Sequence, residues 1–311
     1  MKRTAAFGLL SVLLFGYGNL LAHGLERPEK SLLPKKRELV LRLNFQQGDK
    51  YLFSTAIKQN IEQEMMGQKM IITQDVATDY IYDVQSVQNG FTTIQVTIDG
   101  LKMDTDMGGI QRLRYDSDDP ESGTSDLQVM TNMIGKSFIV HINGEGSVKK
   151  VEGIAELIGF VDGAQAELLK QVFGDSTMIQ TLNQITDIYP NRKVAIGDTW
   201  TKTFSGPIAG FMQSTAASNF SLSEISGDMA TLDFDGQMSF SKLPGGGSNP
   251  MLQGAEINLS GTQKGTLEVD TRSGMPLKTT MKQDVSGNIE VQGLQIPMTI
   301  VSDITVTGKK L

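Results

Sequence analysis

Leu39-Val40-Leu41-Arg42-Leu43-Asn44-Phe45-Gln46-Gln47-Gly48-Asp49-Lys50-Tyr51-Leu52-Phe53 is the stretch that decides the fold. Leu39, Leu41, Leu43 and Phe45 alternate with Val40, Arg42 and Asn44, the period of two expected of a half-buried strand. Gln47-Gly48-Asp49 then turns the chain, and Tyr51-Leu52-Phe53 opens a second strand. Ala195-Ile196-Gly197-Asp198-Thr199-Trp200 repeats this layout: a Gly-Asp turn, one spacer residue, then a large aromatic.

Downstream of both Gly-Asp turns the pattern stays β-like. Met66-Gly67-Gln68 reads as a hairpin turn between strands near 51–64 and 69–85. Asn89-Gly90 is the strongest turn signal, because an Asn-Gly pair readily adopts the positive φ angles of a two-residue hairpin. Ile94, Val96 and Ile98 then alternate with polar residues, and Phe138–Ile142 and Ser147–Val151 flank Asn143-Gly144-Glu145-Gly146. In the second half, Phe220–Ile225, Gly227-Asp228 and Thr231–Phe234 match Tyr80–Val87, Asn89-Gly90 and Ile94–Ile98. Gly265–Met281 closes that half around Thr271-Arg272-Ser273-Gly274. The parallel predicts a diverged internal duplication, with Tyr51 and Trp200 in matching places.

Only the middle changes period. Met178, Leu182, Ile185 and Tyr189 fall on one face at i, i+4, i+7 and i+11, with Asp175-Ser176 as the N-cap and Pro190 as the stop. An earlier helix is expected over Ala164–Phe173, and a short one over Leu127–Ile134. The expected fold is therefore α+β and mostly antiparallel, with helices covering one face of the sheet. Its parts are a signal peptide at 1–22, a charged linker at 23–38, β-rich modules at 39–152 and 193–311, and a helical insert at 153–192.

The N-terminus reads as an export signal. Lys2 and Arg3 precede an apolar run over Ala5–Phe15, and Leu20-Leu21-Ala22 ends on a small residue. Gly16-Tyr17-Gly18-Asn19 breaks the run short of the ~20 apolar residues a spanning helix needs, so cleavage and a periplasmic or secreted, non-spanning product are expected. The chain has no cysteine, which excludes a disulfide framework and thiol chemistry. Without Lys2 and Arg3, 26 basic residues face 35 acidic ones, a formal charge of −9 that disfavours nucleic acid as a partner. Sixteen methionines, one of them the initiator, serve as core filling or as the lining of an adaptable pocket.

The Gly-Asp-Tyr and Gly-Asp-Trp openings, the Gln- and Met-rich hairpins and the Asp270-x-x-Ser273-Gly274-x-Pro276 turn together resemble a family of exported, β-rich bacterial domains of unknown function, common in Gram-negative species. The likeness runs from about Leu39 to the C-terminus. It implies an exported β-rich protein and carries no catalytic residues. The layout is also similar to periplasmic lipid and lipoprotein carriers, as an analogy of architecture, which does not decide function.

Catalytic patterns find little support. His23 and His141 are the two histidines, and His141 lies in a strand pattern where a structural role fits better than a base. No Gly-x-Ser-x-Gly elbow occurs. Asp104, Asp106, Asp116, Asp118, Asp119 and Glu121 gather in an expected acidic loop over Asp104–Asp126. Within it Asp116, Asp118, Asp119 and Glu121 form the candidate cation site, although EF-hand spacing is missing. Pro244–Pro250 has the glycines of a phosphate loop without its lysine.

The sequence thus points to a non-enzymatic binding or carrier protein for an apolar ligand, with Met178, Leu182, Ile185 and Tyr189 lining the pocket and no cofactor. The alternative is a structural or protein-interaction module of the cell envelope, recognising a partner protein through a sheet edge or face. A carboxylate- or metal-dependent hydrolase ranks third.

Overall fold

The computed structural model describes residues 38–65, 67–159, 174–208, 212–243 and 255–311. The expected signal peptide, most of the charged linker, the Ala164–Phe173 helix and the Pro244–Pro250 connection lie outside these residues. In the first half, β1 (Leu39–Val40) is followed by β2 (Lys50–Met65), β3 (Gln68–Gln88), β4 (Phe91–Met107), β5 (Arg112–Asp116), β6 (Ser137–Asn143) and β7 (Val148–Glu152). Two helices come next, α1 (Ile154–Ile158) and α2 (Asp175–Thr186). The second half holds β8 (Lys193–Val194), β9 (Thr199–Ile208), β10 (Met212–Ser226), β11 (Met229–Lys242), β12 (Glu256–Asp270), β13 (Pro276–Val291) and β14 (Leu294–Lys310).

Twelve strands form one antiparallel sheet in the order β7-β6-β4-β3-β2-β14-β13-β12-β11-β10-β9, with β5 paired to the far end of β4. The two halves join where β14 pairs with β2, from Met298 opposite Gln63 to Lys310 opposite Tyr51. β7 and β9 are the two ends of this order, yet α2 packs on both. The sheet has therefore curled into an open barrel, and the helix fills the seam between its edges. The protein is mostly antiparallel β. Among the described residues the expected α+β layering, with helices over a sheet face, gives way to this plug, with α2 lying on the two sheet edges.

Alternation dictates which face turns inward. Along β13, Met281, Gln283 and Val285 are buried while Lys282, Asp284 and Ser286 are exposed. The outward face likewise carries Lys58, Asp235, Lys264 and Asp303. On a lipid-facing barrel surface, a lysine near the bilayer midplane costs about 2–4 kcal/mol, so this face is built for water. Among the described residues no helix is long and apolar enough to cross a membrane.

The two Gly-Asp turns are wired alike. At the first, Gly48 N–H donates to Val84 O, Val84 N–H to Asp49 O, Asp49 N–H to Gln46 O and Gln46 N–H to the Asp49 carboxylate. At the second, Gly197, Leu222, Asp198 and Ala195 N–H groups donate in turn to Leu222 O, Asp198 O, Ala195 O and the Asp198 carboxylate. Both glycines have positive φ, +87° and +92°, which L side chains resist. Tyr51 then stands opposite Tyr82, and Trp200 opposite Phe220. A register shift follows each partner strand's corner residue, between Val84 and Ser86 and between Leu222 and Glu224.

Some local expectations change. Residues 41–45 keep the burial alternation (Leu41 and Phe45 inside), but regular pairing is confined to β1 with β8. The segment instead crosses the β12–β13 turn, where Asn44 N–H donates to Ser273 O at 2.7 Å. The acidic stretch from Asp104 is not a loop at its start: β4 continues to Met107 and returns as β5, because Arg112 and Arg114 bond Asp104 across the hairpin. Leu127–Ile134 is largely a 3-10 turn series, Ser125–Met133. α2 ends at Thr186, before Pro190, and Gly174 rather than Asp175-Ser176 occupies its N-cap.

Candidate ligand cavity

The interior of the barrel holds an apolar cavity of about 170 Å³. An engineered cavity of about 150 Å³ stays dry and binds benzene, which sets the scale. Both halves build the walls: Phe53 and Val96 from the first, Phe220, Phe234 and Leu267 from the second, with Val306 at the join. Thr55, Tyr80, Tyr82, Thr186 and Thr279 are its hydroxyl-bearing wall residues, and among the described residues no acid, base or histidine lines it. Desolvation pushes the Tyr80 and Tyr82 phenols above their ordinary value, so both stay protonated and neutral at physiological pH.

Helix α2 closes the cavity through Leu182, with Ile188 just beyond the helix. Its fixings are specific. Asn183 accepts the Val148 N–H at 2.7 Å and donates to Val148 O at 3.4 Å, filling the exposed backbone of edge strand β7. On the β9 side the Gln180 side chain lies 2.8 Å from where a Cβ on Gly206 would stand, so the glycine lets helix and strand meet. Lys202 pairs with Asp187 at 2.7 Å, and Trp200 Nε1–H donates to Ile188 O at 2.9 Å.

Of the four pocket residues expected from sequence, Leu182 is buried on the cavity wall. Met178 is partly buried against the same core cluster. The Ile185 side chain lies outside the described residues. Tyr189 lies past the helix end, buried in the neighbouring cluster, and its hydroxyl donates to Gly274 O at 2.5 Å. Helical spacing could not place it, because the chain leaves the helix three residues earlier.

Two of the four candidate cation residues share one ion-pair partner. Lys102 binds Asp116 at 3.2 Å and Asp118 at 2.7 Å, and Asp119 and Glu121 sit at the start of a 3-10 turn. Among the described residues no group of three or more acids, histidines or cysteines is arranged to hold a metal. His141 is a sheet residue held between Thr93 and Glu152, at 3.2 and 2.7 Å.

Sequence reasoning missed a second interior feature. Thr105, Gln74, Gln59 and Ser302 stand directly opposite one another on successive strands. The same row continues through Gln283, Gln263, Gly236, Ser218 and Lys202, nine strands in all. It forms a polar belt around the interior, between the cavity clusters and a third cluster around Ile61, Phe240 and Val285; Gln63 and Ser214 are buried outside it. Gly236 leaves room for Gln263 to bridge β11 and donate to Ser218 Oγ at 2.7 Å; a Cβ there would meet Ala217 O at 2.4 Å. The signal was present in the sequence as glutamine on the apolar phase of a strand: Ile57-x-Gln59-x-Ile61 and Met281-x-Gln283-x-Val285.

A family model, described as a family of unknown function (DUF6263), matches residues 89–276, from the β3–β4 turn to the first residue of β13. The chain belongs to DUF6263. The DUF6263 match spans most of the cavity wall and α2 but ends before β14 and begins after Gln59. No curated protein matches the chain. Among solved structures, lipovitellin, described for its lipid–protein interactions, aligns at 10% identity and TM-score 0.47, over 86% of this chain and 25% of its own. This chain thus spans about a quarter of the length of that relative. OccK7 of Pseudomonas aeruginosa aligns at 6% identity and TM-score 0.27, over 85% of this chain and 100% of its own. The translocator domain of the autotransporter NalP from Neisseria meningitidis aligns at 8% identity and TM-score 0.21, over 84% and 90%. All three are distant likenesses.

Proposed function

We propose that this chain is an exported, non-enzymatic binding protein that encloses a small apolar ligand inside its barrel, with α2 as the removable wall. One observation carries the reading: an apolar cavity at the meeting point of both halves, closed at the seam, among the described residues, by α2. A helix held to two sheet edges by a few side-chain contacts opens at lower cost than a strand within a continuous ladder, which suits entry and release. The basic-apolar-small N-terminus supports export. The matching Gly-Asp corners support an origin by duplication, in which two related halves came to share one interior.

The same helix weighs against recognition of a partner through the sheet ends, because it already lies on β7 and β9. The test is native mass spectrometry and thermal unfolding of delipidated protein with small alkanes and alkanols. Binding at 100 times Kd stabilises by about 2.7 kcal/mol, a readily measured rise in Tm. Leu182→Phe, which adds bulk at the cavity wall, is expected to reduce that rise. Absence of binding and of any thermal shift in the unmodified protein sinks the reading.

A further inference from the structure

We infer that the polar belt is the headgroup site of the same interior, and that the ligand is an amphiphile with a hydrogen-bond donor, such as a hydroxyl, at the end of an apolar chain. This rests on the cavity reading above and narrows it from apolar molecules in general to one chemical class.

The first ground is energetic. An amide in an apolar interior costs free energy unless it is hydrogen-bonded, and replacing a whole polar row by well-packed aliphatic residues is commonly neutral or stabilising. Gln59, Gln263 and Gln283 are each less than a tenth exposed. The belt therefore needs a reason beyond stability.

The second ground is that one amide oxygen of the row is fully buried without a hydrogen-bond partner among the described residues. Gln59 Nε2 donates to Ser302 Oγ at 2.9 Å, while Gln59 Oε1 is buried with no hydrogen-bond partner. Elsewhere in the row the amides are joined: Gln283 Nε2 to Gln263 Oε1 at 3.4 Å, and Gln263 Nε2 to Ser218 Oγ at 2.7 Å. A fully buried acceptor without a donor is a site that a donor completes.

The third ground is position. The cavity-lining Phe220 and Phe234 stand two residues from the belt positions Ser218 and Gly236, roughly 7 Å along a strand. Gln59 stands four residues beyond the cavity-lining Thr55 on β2. No belt residue lines the cavity itself, so a ligand chain lying there reaches Gln59 by parting the Ile57–Ile304 pair that stands between them. With no acidic or basic group on the cavity wall among the described residues, and Lys202 at the belt's end already paired with Asp187, the recognised headgroup is neutral.

The experiment measures affinities of the delipidated protein for three probes of similar length: 1-octanol, n-nonane and octyl methyl ether. A hydrogen bond to an otherwise unpaired buried acceptor predicts that octanol binds about tenfold or more tighter than the alkane or the ether, which has no donor. Gln59→Leu is expected to remove that preference while retaining alkane binding. The octanol–ether comparison in the unmodified protein stands even if the variant fails to fold. Equal binding of all three probes, or an octanol preference that survives Gln59→Leu, overturns the headgroup site and leaves the cavity reading intact. Binding of none overturns both.

Discussion

The corners at Gly48-Asp49 and Gly197-Asp198 share four hydrogen bonds, but the strands they launch have different neighbours. β2 runs in the middle of the sheet, flanked by β3 and β14, and Lys310 of β14 reaches the Asp49 carboxylate and lies 5.8 Å from the Tyr51 ring centre. β9 is a sheet edge whose open side meets α2, and its aromatic also serves that helix. The Trp200 indole holds Ile188 O, anchoring the segment that follows α2. The Tyr51 hydroxyl has no partner in hydrogen-bonding geometry, although Ser273 is near enough to influence its ionisation. The same local device thus serves a continuous ladder in one half and a closable seam in the other. The difference lies in what the aromatic ring is asked to hold.

Trp200→Ala tests this most severely. Truncating a buried aromatic of this size typically costs about 3–5 kcal/mol, and here a buried carbonyl also loses its donor. Chemical denaturation is expected to place the loss above that of Tyr51→Ala; a larger cost at Tyr51 breaks the contrast. Next comes Leu182→Ala on the seam helix, where the side chain borders existing empty space. Its cost is expected near the low end of the roughly 2–5 kcal/mol range for buried leucines. A loss at the top of that range means that Leu182 is ordinary packed core.

Removing only the polar atoms sharpens the same comparison. Trp200→Phe leaves Ile188 O without its donor and is expected to cost about 1–3 kcal/mol, whereas Tyr51→Phe is expected to stay within about 0.5 kcal/mol. Equal effects on Tm end the claim that the two rings differ in role. The smallest effect concerns the β4–β5 hairpin, a first-half feature. Arg112 hydrogen bonding, joined by Arg114, holds the Asp104 carboxyl below its ordinary value despite partial burial. Because the folded value is depressed, its stabilisation is present above the unfolded value of about 4 and is lost as pH falls through the folded one. Melting curves of the unmodified protein and Asp104→Asn are expected to differ by a constant amount at neutral pH and to converge in acid.

The strands were legible because alternation is a local property: Ile94, Val96 and Ile98 turn inward with the period of two that their sequence displays. The Gly-Asp corners were legible for a related reason, since a positive φ demands glycine wherever it occurs. Of the expected pocket residues with described side chains, only Leu182 borders the cavity. Tyr189 kept helical spacing by coincidence: the helix ends at Thr186, and the Tyr189 hydroxyl bonds Gly274 O beyond it. Asp116 and Asp118 looked like a cation site because Lys102, fourteen and sixteen residues upstream, is brought to them only by strand pairing.

The sequence by itself determined most of the strands and their inward phase, the two corners and the absence of thiol chemistry, all set by short-range sterics and composition. Only the tertiary structure decided that the sheet curls until β7 and β9 flank one helix, that both halves share a cavity, and that scattered glutamines align into a belt. Those features depend on register and curvature. Gln59 and Ser302, for instance, are neighbours across 243 residues of chain because β14 pairs with β2 in one register. A shift of a single residue would turn one of them to the solvent.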